Sequence, residues 1–140
     1  MKQLVLDAGP LIGLFFAKDT YHKECVAGFE QLSQQQTILL TPVPIIFEVY
    51  KWLLQRTRPA IAQNALEIMH GSLHPMALEQ DNFEELQGMV LELTNWQGSL
   101  EDGTVLLMAL KYRCPVWTYN FRDFGMFKAL EFWNPTSPVS

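Results

Sequence analysis

Residues 3–16 read QLVLDAGPLIGLFF, two apolar runs with one acid, Asp7, set between them. QLVLD (3–7) has the length and unbroken hydrophobicity of a strand covered on both faces, as in a parallel sheet. GPLIGLFFA (9–17) continues as a helix, with Pro10 near its first turn, where a missing N–H is tolerated. An ionised carboxylate at such a junction is costly unless something pairs with it. Two readings of Asp7 stand side by side. It caps the helix, a role that stabilises by about 1 kcal/mol, or it stands at the carboxyl end of a strand, where open α/β sheets gather their ligands.

Outward from this junction the chain keeps alternating. After a polar break, YHKECVAGFEQLSQQ (21–35) forms an amphipathic helix and TILLT (37–41) a second strand. PVPIIFEVYKWLLQR (42–56) is a helix opened by prolines and apolar over most of its circumference, so it is either central or part of an interface. PAIAQNALEIMHGS (59–72) is a further helix, LHPMAL (73–78) a short third strand, and DNFEELQGMVLELTNW (81–96) a helix with an acidic first turn. SLEDGTVLLMALKYR (99–113) is helical, PVWTYN (115–120) is a fourth strand ending in a polar loop, and LEFWN (130–134) is a weak late strand. The expectation is an α/β domain with a mainly parallel sheet flanked by helices, a single domain over residues 1–140.

Nearly half of the 140 residues are hydrophobic, enough for a sizeable core. No apolar run reaches the ~18 residues needed to cross a bilayer, and Asp7 and Pro10 spoil the first run as a signal-peptide core, so a soluble cytoplasmic protein is expected. Cys25 and Cys114 belong to no CxxC or zinc-spaced cluster and read as buried thiols. His22, His70 and His74 lack metal-ligand spacing and read as surface or loop residues. The net charge of −5 argues against broad electrostatic binding to nucleic acid, which needs a basic surface. It leaves room for an acidic site that meets phosphates through divalent cations.

The acids are best weighed singly and then together. Glu48 interrupts a hydrophobic helical face, with a pair to Lys51 as its plain explanation. Asp102 follows Ser99 by three residues, close to a capping-box pattern, with Glu101 adding charge at the same helix start. Asp123, in TYNFRDF, has Arg122 beside it and reads in isolation as a surface loop pair. Glu79, Asp81, Glu84 and Glu85 read as a solvated helix start. Acids brought within ~4 Å of one another repel by roughly 4 kcal/mol per pair at an effective dielectric near 20. With no Lys/Arg cluster nearby, a hard divalent cation is the natural counter-ion, and oxygen-only ligands select Mg2+ or Mn2+ over zinc.

Four segments, VLDAGPLIGLFFAKDTYH, TPVPIIFEVYKWLL, LEDGTVLLMALKYRCPVWT and NFRDF, spread over most of the chain in order. On these the sequence resembles the PIN-domain family and, within it, the VapC-like toxin ribonucleases. The resemblance implies a three-layer α/β fold with a central, mainly parallel sheet, and a Mg2+- or Mn2+-dependent endoribonuclease of a toxin–antitoxin pair. It also implies an RNA substrate, a small antitoxin partner and a homodimer formed through apolar helices. Carried across by position, the catalytic acids are Asp7, Glu48, Asp102 and Asp123, with Asp7, Asp102 and Asp123 as metal ligands. Thr118 and Asn120 are supporting residues. Asn120 stands where many members carry an Asp, and Gly9 where many carry Ser, Thr or Asn. Lys51, Arg56, Arg58 and Arg122 are candidates for gripping substrate. A PIN-fold binding module with weakened catalysis is the competing reading, motivated by Asn120 and the acidic charge. A DxD-type phosphatase wants an Asp at position 9, where this chain has Gly9.

Overall fold

Val5 is the hub of the sheet. In this computed structural model, which describes residues 2–135, Val5 pairs with Leu40 on one side and Val116 on the other, both in parallel register. Four parallel strands, β1 (Gln3–Leu6), β2 (Ile38–Pro42), β3 (His74–Met76) and β4 (Val116–Trp117), lie in the order β3-β2-β1-β4. Successive strand residues point to opposite faces, yet Leu4, Val5 and Leu6 are all fully buried, so β1 is covered on both sides. The architecture is the α/β arrangement expected from the sequence, with β1 inside and helices flanking the sheet.

Among the described residues six helices connect the strands, α1 (Ala8–Phe15), α2 (His22–Gln34), α3 (Val43–Arg56), α4 (Pro59–Ser72), α5 (Gln80–Glu92) and α6 (Leu100–Tyr112), and the one-turn α7 (Phe121–Phe124) follows β4. Most expected elements lie within a few residues of their place. Three differ. The fourth strand keeps only two residues, because beyond Trp117 the chain turns to direct Thr118 and Asn120 into polar contacts. The polar loop after it contains α7, capped by Asn120, whose side chain accepts from the Asp123 N–H. The late strand shrinks to one parallel bridge, Phe132 to Val116.

The central helix is α6, in which Gly103 to Ala109 are all buried. It packs on β1 and β2, while α3 leans on β2 and α6 and leaves Phe47 72% exposed. The proline-led helix is central on one face, where Ile45, Val49 and Leu53 are buried, and open on the other, where Phe47 and Leu54 are exposed. Both cysteines are free and buried, as expected. His70 and His74 are exposed, whereas His22 is half-buried, its Nδ1 2.7 Å from the Gly13 carbonyl, because it opens α2 against the end of α1. Glu79, Asp81, Glu84 and Glu85 are exposed at the start of α5. No helix among the described residues is long and apolar enough to cross a membrane.

Trp117 carries α2 onto the sheet, with Phe29 packed at 4.8 Å between ring centroids. Gly28 makes that approach possible: a Cβ there would lie 2.4 Å from Trp117 Cη2 and 2.9 Å from Cζ2. Gly28→Ala is therefore expected to cost about 1–3 kcal/mol through overpacking. The check is urea unfolding, with the midpoint falling and the m-value unchanged.

Candidate active site

From β1 the chain crosses through α1 and α2 to β2 on one side, whereas β4 lies on the other side. This reversal opens a crevice at the carboxyl ends of β1 and β4, the place where open α/β sheets bind ligands. Asp7 sits there, 4% exposed, immediately beyond β1. Its backbone N–H donates to the Trp117 carbonyl at 3.1 Å, tying the end of β1 to β4. Its two carboxylate oxygens have different duties. Oδ1 accepts from the Ala8 N–H at 2.8 Å as the cap of α1, and Oδ2 accepts from the Thr118 hydroxyl at 2.7 Å. Cap and strand-end acid are thus one residue.

Asp102 arrives on the first turn of α6, held by a reciprocal capping box. Its N–H donates to Ser99 Oγ at 3.0 Å and its Oδ2 accepts from the Ser99 N–H at 3.2 Å. Glu48 projects from α3 into a groove shared with Val43, Pro44, Phe47, Lys51 and Glu101. The ion pairs found among the described residues are Lys111–Glu85 and Arg122–Asp123, so the expected Glu48–Lys51 pair is absent. Asp123 is buried on α7, with Oδ2 accepting from Asn120 Nδ2 at 2.9 Å and from Arg122 Nη2 at 3.3 Å. The surface-pair reading of Asp123 holds only for Arg122, which is exposed. The carboxylate itself is turned inward because Asn120 caps α7 and accepts from the Asp123 N–H.

The electrostatics join these acids into one field. Burial, the Thr118 and Ala8 bonds pulling the other way, and the charge of Asp102 together raise Asp7 to about 6. Glu48 is pushed up to about 7, by burial first and then by Asp7, Asp102 and Glu101. Asp102 is also raised, by burial and by Asp123 and Glu101 against the lowering Ser99 bonds. Asp123 alone is lowered, by the Asn120 amide first and the Arg122 guanidinium second. Negative charge is therefore uncompensated around Asp7, Glu48 and Asp102 and compensated at Asp123.

Glu101 is the acid that sequence reasoning passed over as a groove residue. It precedes the capping residue Asp102 and looked like dipole decoration, but it raises Glu48 and lines the same groove. Thr118 also does more than end a strand, because its oxygen accepts from the Asn120 N–H at 2.9 Å while its proton goes to Asp7. Tyr119, between them, stacks on Tyr21 at 4.1 Å and donates to Glu24, anchoring this segment to the α1–α2 connection. Of the basic candidates, Lys51 lines the groove, Arg122 is bound to Asp123, Arg56 lies 4.6 Å over the Trp52 ring, and Arg58 precedes α4.

The donor set is all oxygen, the chemistry of a hard cation. Among the described residues no three His, Cys, Asp or Glu side chains converge closely enough to hold an ion unaided. Mg2+ is a cation that keeps several waters and takes only one or two carboxylates. By donor chemistry Asp7 and Asp102 are the residues that would hold such an ion, and Glu48 is coupled electrostatically to both.

The fold is that of a PIN-like α/β domain, and solved structures that share it are toxins and toxin–antitoxin complexes. VapC20 of Mycobacterium tuberculosis, a sarcin-ricin loop cleaving toxin, superposes with a TM-score of 0.75 at 14% identity, over 88% of this chain and 94% of that one. A toxin–antitoxin complex from Klebsiella pneumoniae gives 0.66 at 19% identity, over 95% and 98% of the two chains. VapBC2 from Rickettsia felis, bound to a DNA fragment from their promoter, gives 0.65 at 14% identity, over 94% and 98%. At these identities the likeness concerns the fold. No protein-family model matches the sequence, and no curated protein matches it.

Proposed function

We propose that this chain is a Mg2+- or Mn2+-dependent endoribonuclease, the toxin of a toxin–antitoxin pair. The observation that carries the reading is the electrostatic coupling of Asp7, Glu48 and Asp102, brought from three separate elements to the sheet's switch point, with no ion pair to any of them among the described residues. The fold shared with VapC20 and with two antitoxin-associated proteins supports it.

In this reading Asp7 and Asp102 hold the ion, which when bound stabilises charge on a phosphodiester and acidifies water for attack. Glu48, with its carboxylate near the neutral range, accepts the proton that the attacking water releases. Thr118 keeps Asp7 oriented, and Lys51 lies on the groove through which a phosphate backbone approaches. Phe47, Leu54 and Leu66 on α3 and α4 leave apolar area uncovered, the surface we assign to an antitoxin or a second copy of the chain.

Incubating the purified chain with a labelled structured RNA tests the reading. Cleavage is expected with Mg2+ or Mn2+ and is expected to vanish in EDTA and in Asp102→Asn. Because Asp7 and Glu48 must ionise, at about 6 and about 7, the rate should climb as pH rises from 5.5 to 7.5. Equal cleavage in EDTA, or a rate that falls over that range, would refute it. RNA binding with no Mn2+ uptake would favour the competing non-catalytic module.

A further inference from the structure

The Asn120 amide lies between two carboxylates. Its Oδ1 accepts from the Asp123 N–H at 3.3 Å, the orientation assigned because it gives both ends of the amide partners. A flipped amide would face two carboxylate oxygens with its own oxygen and offer hydrogens to an N–H. Nδ2 has two hydrogens, and each has a taker, Asp123 Oδ2 at 2.9 Å and Asp102 Oδ2 at 3.4 Å. The backbone N–H of Asn120 bonds Thr118, whose proton goes to Asp7. Asp7, Thr118, Asn120, Asp102 and Asp123 thus form one connected chain in which every joint already holds a hydrogen.

A cation placed between Asp102 and Asp123 would have to displace those N–H groups and undo the cap of α7. Asp123 Oδ2 also has Arg122 within 3.3 Å. Asp7 and Glu48, which both feel the charge of Asp102, have no ion pair among the described residues. We propose that Asn120 is a positioning residue whose amide fills the ground between Asp102 and Asp123, so that the site takes a single divalent cation on the Asp7 side and Asp123 stays outside its ligand set. This rests on the metal-dependent reading above and moves Asp123 from metal ligand, its role by resemblance, to second anchor of Asn120.

Titration of the full chain with Mn2+, followed by calorimetry and electron paramagnetic resonance, separates the possibilities. The natural chain should bind one Mn2+. Asp123→Asn, an outer-shell change, should lose no more than about tenfold, while Asp7→Asn, which removes a ligand, should lose well over about 100-fold. Asn120→Asp keeps an oxygen to cap α7 but loses the donors, so it should bind a second Mn2+ and show a spin-coupled signal. It should also melt lower than the natural chain without Mn2+ and recover when Mn2+ is added. Two ions in the natural chain, one ion in Asn120→Asp, or an Asp123→Asn loss as large as that of Asp7→Asn would overturn the single-ion inference and leave the metal-dependent reading standing. No Mn2+ bound by the natural chain would remove the underlying reading itself. If Asp123→Asn fails to fold, the Asn120→Asp stoichiometry decides.

Discussion

Asp7→Asn is expected to lower RNA cleavage by at least about 100-fold and, in the same preparation, to stabilise the metal-free chain at pH 8. The two effects have one origin. Burial raises the Asp7 carboxyl from an ordinary 3.8 to about 6, so the fold prefers its protonated form. Stability from that preference is fully present below pH 4 and is lost as pH rises through 6. At pH 8 the ionised group therefore costs about 3 kcal/mol. Asparagine removes the charge but replaces one acceptor with a donor beside Thr118, so the net gain is about 1–2 kcal/mol. Thermal melts in EDTA should show the variant above the natural chain at pH 8 and no higher at pH 4. A variant that is inactive and also less stable at pH 8 would mean that Asp7 serves the fold and not an ion.

Thr118→Val should have the second large effect. The exchange keeps the shape and deletes the hydroxyl, leaving Asp7 Oδ2 and the Asn120 N–H without their partner. One buried and one half-buried group losing satisfaction together cost about 1–3 kcal/mol. The Thr118 bond also holds Asp7 lower than burial alone would, so its loss should move the rising limb of the activity profile to higher pH. Thr118→Ser, which keeps the hydroxyl, should restore the profile and most of the stability. A valine variant with unchanged urea midpoint and unchanged pH profile would show that the hydroxyl has no part in setting Asp7.

The elements legible in the sequence were those with strong local signals. The helix over 59–72 runs from its proline to the serine before the β3 segment, as the pattern indicated. The Ser99–Asp102 spacing marked the capping box that aims α6. What escaped reading depended on contacts remote in the chain. PVWTYN had the composition of a long strand, but Thr118 answers to Asp7 and Asn120 to Asp123, so only Val116 and Trp117 remain in the sheet. The spacing of Asn120 and Asp123 is itself a capping signal, and it would have located α7 had it been weighed against the polar character of the loop.

The candidate acids were legible as residue types and, through resemblance, as positions. Their individual states were not. Asp102 read as a helix-start acid and Asp123 as a loop acid paired with Arg122; both prove to stand in a first helical turn, yet Asp123 is lowered by an amide and a guanidinium and Asp102 raised by burial and its neighbours. Glu48 beside Lys51 suggested a neutralised pair, but α3 turns Glu48 towards Asp7 and Asp102 instead.

The hydrogen bond from Thr118 to Asp7 joins residues 111 positions apart, and it makes the competence of the molecule a matter of timing. Translation at about 5–20 residues per second leaves Asp7 waiting on the order of ten seconds before Thr118 exists. Through that interval β1 lacks a neighbour on one side, and Asp102 has neither Asn120 nor Asp123 near it. A nascent or truncated chain ending before β4 carries three of the acids and no assembled crevice. The order in which the chain is made thus leaves the crevice unassembled until its last strand docks against its first.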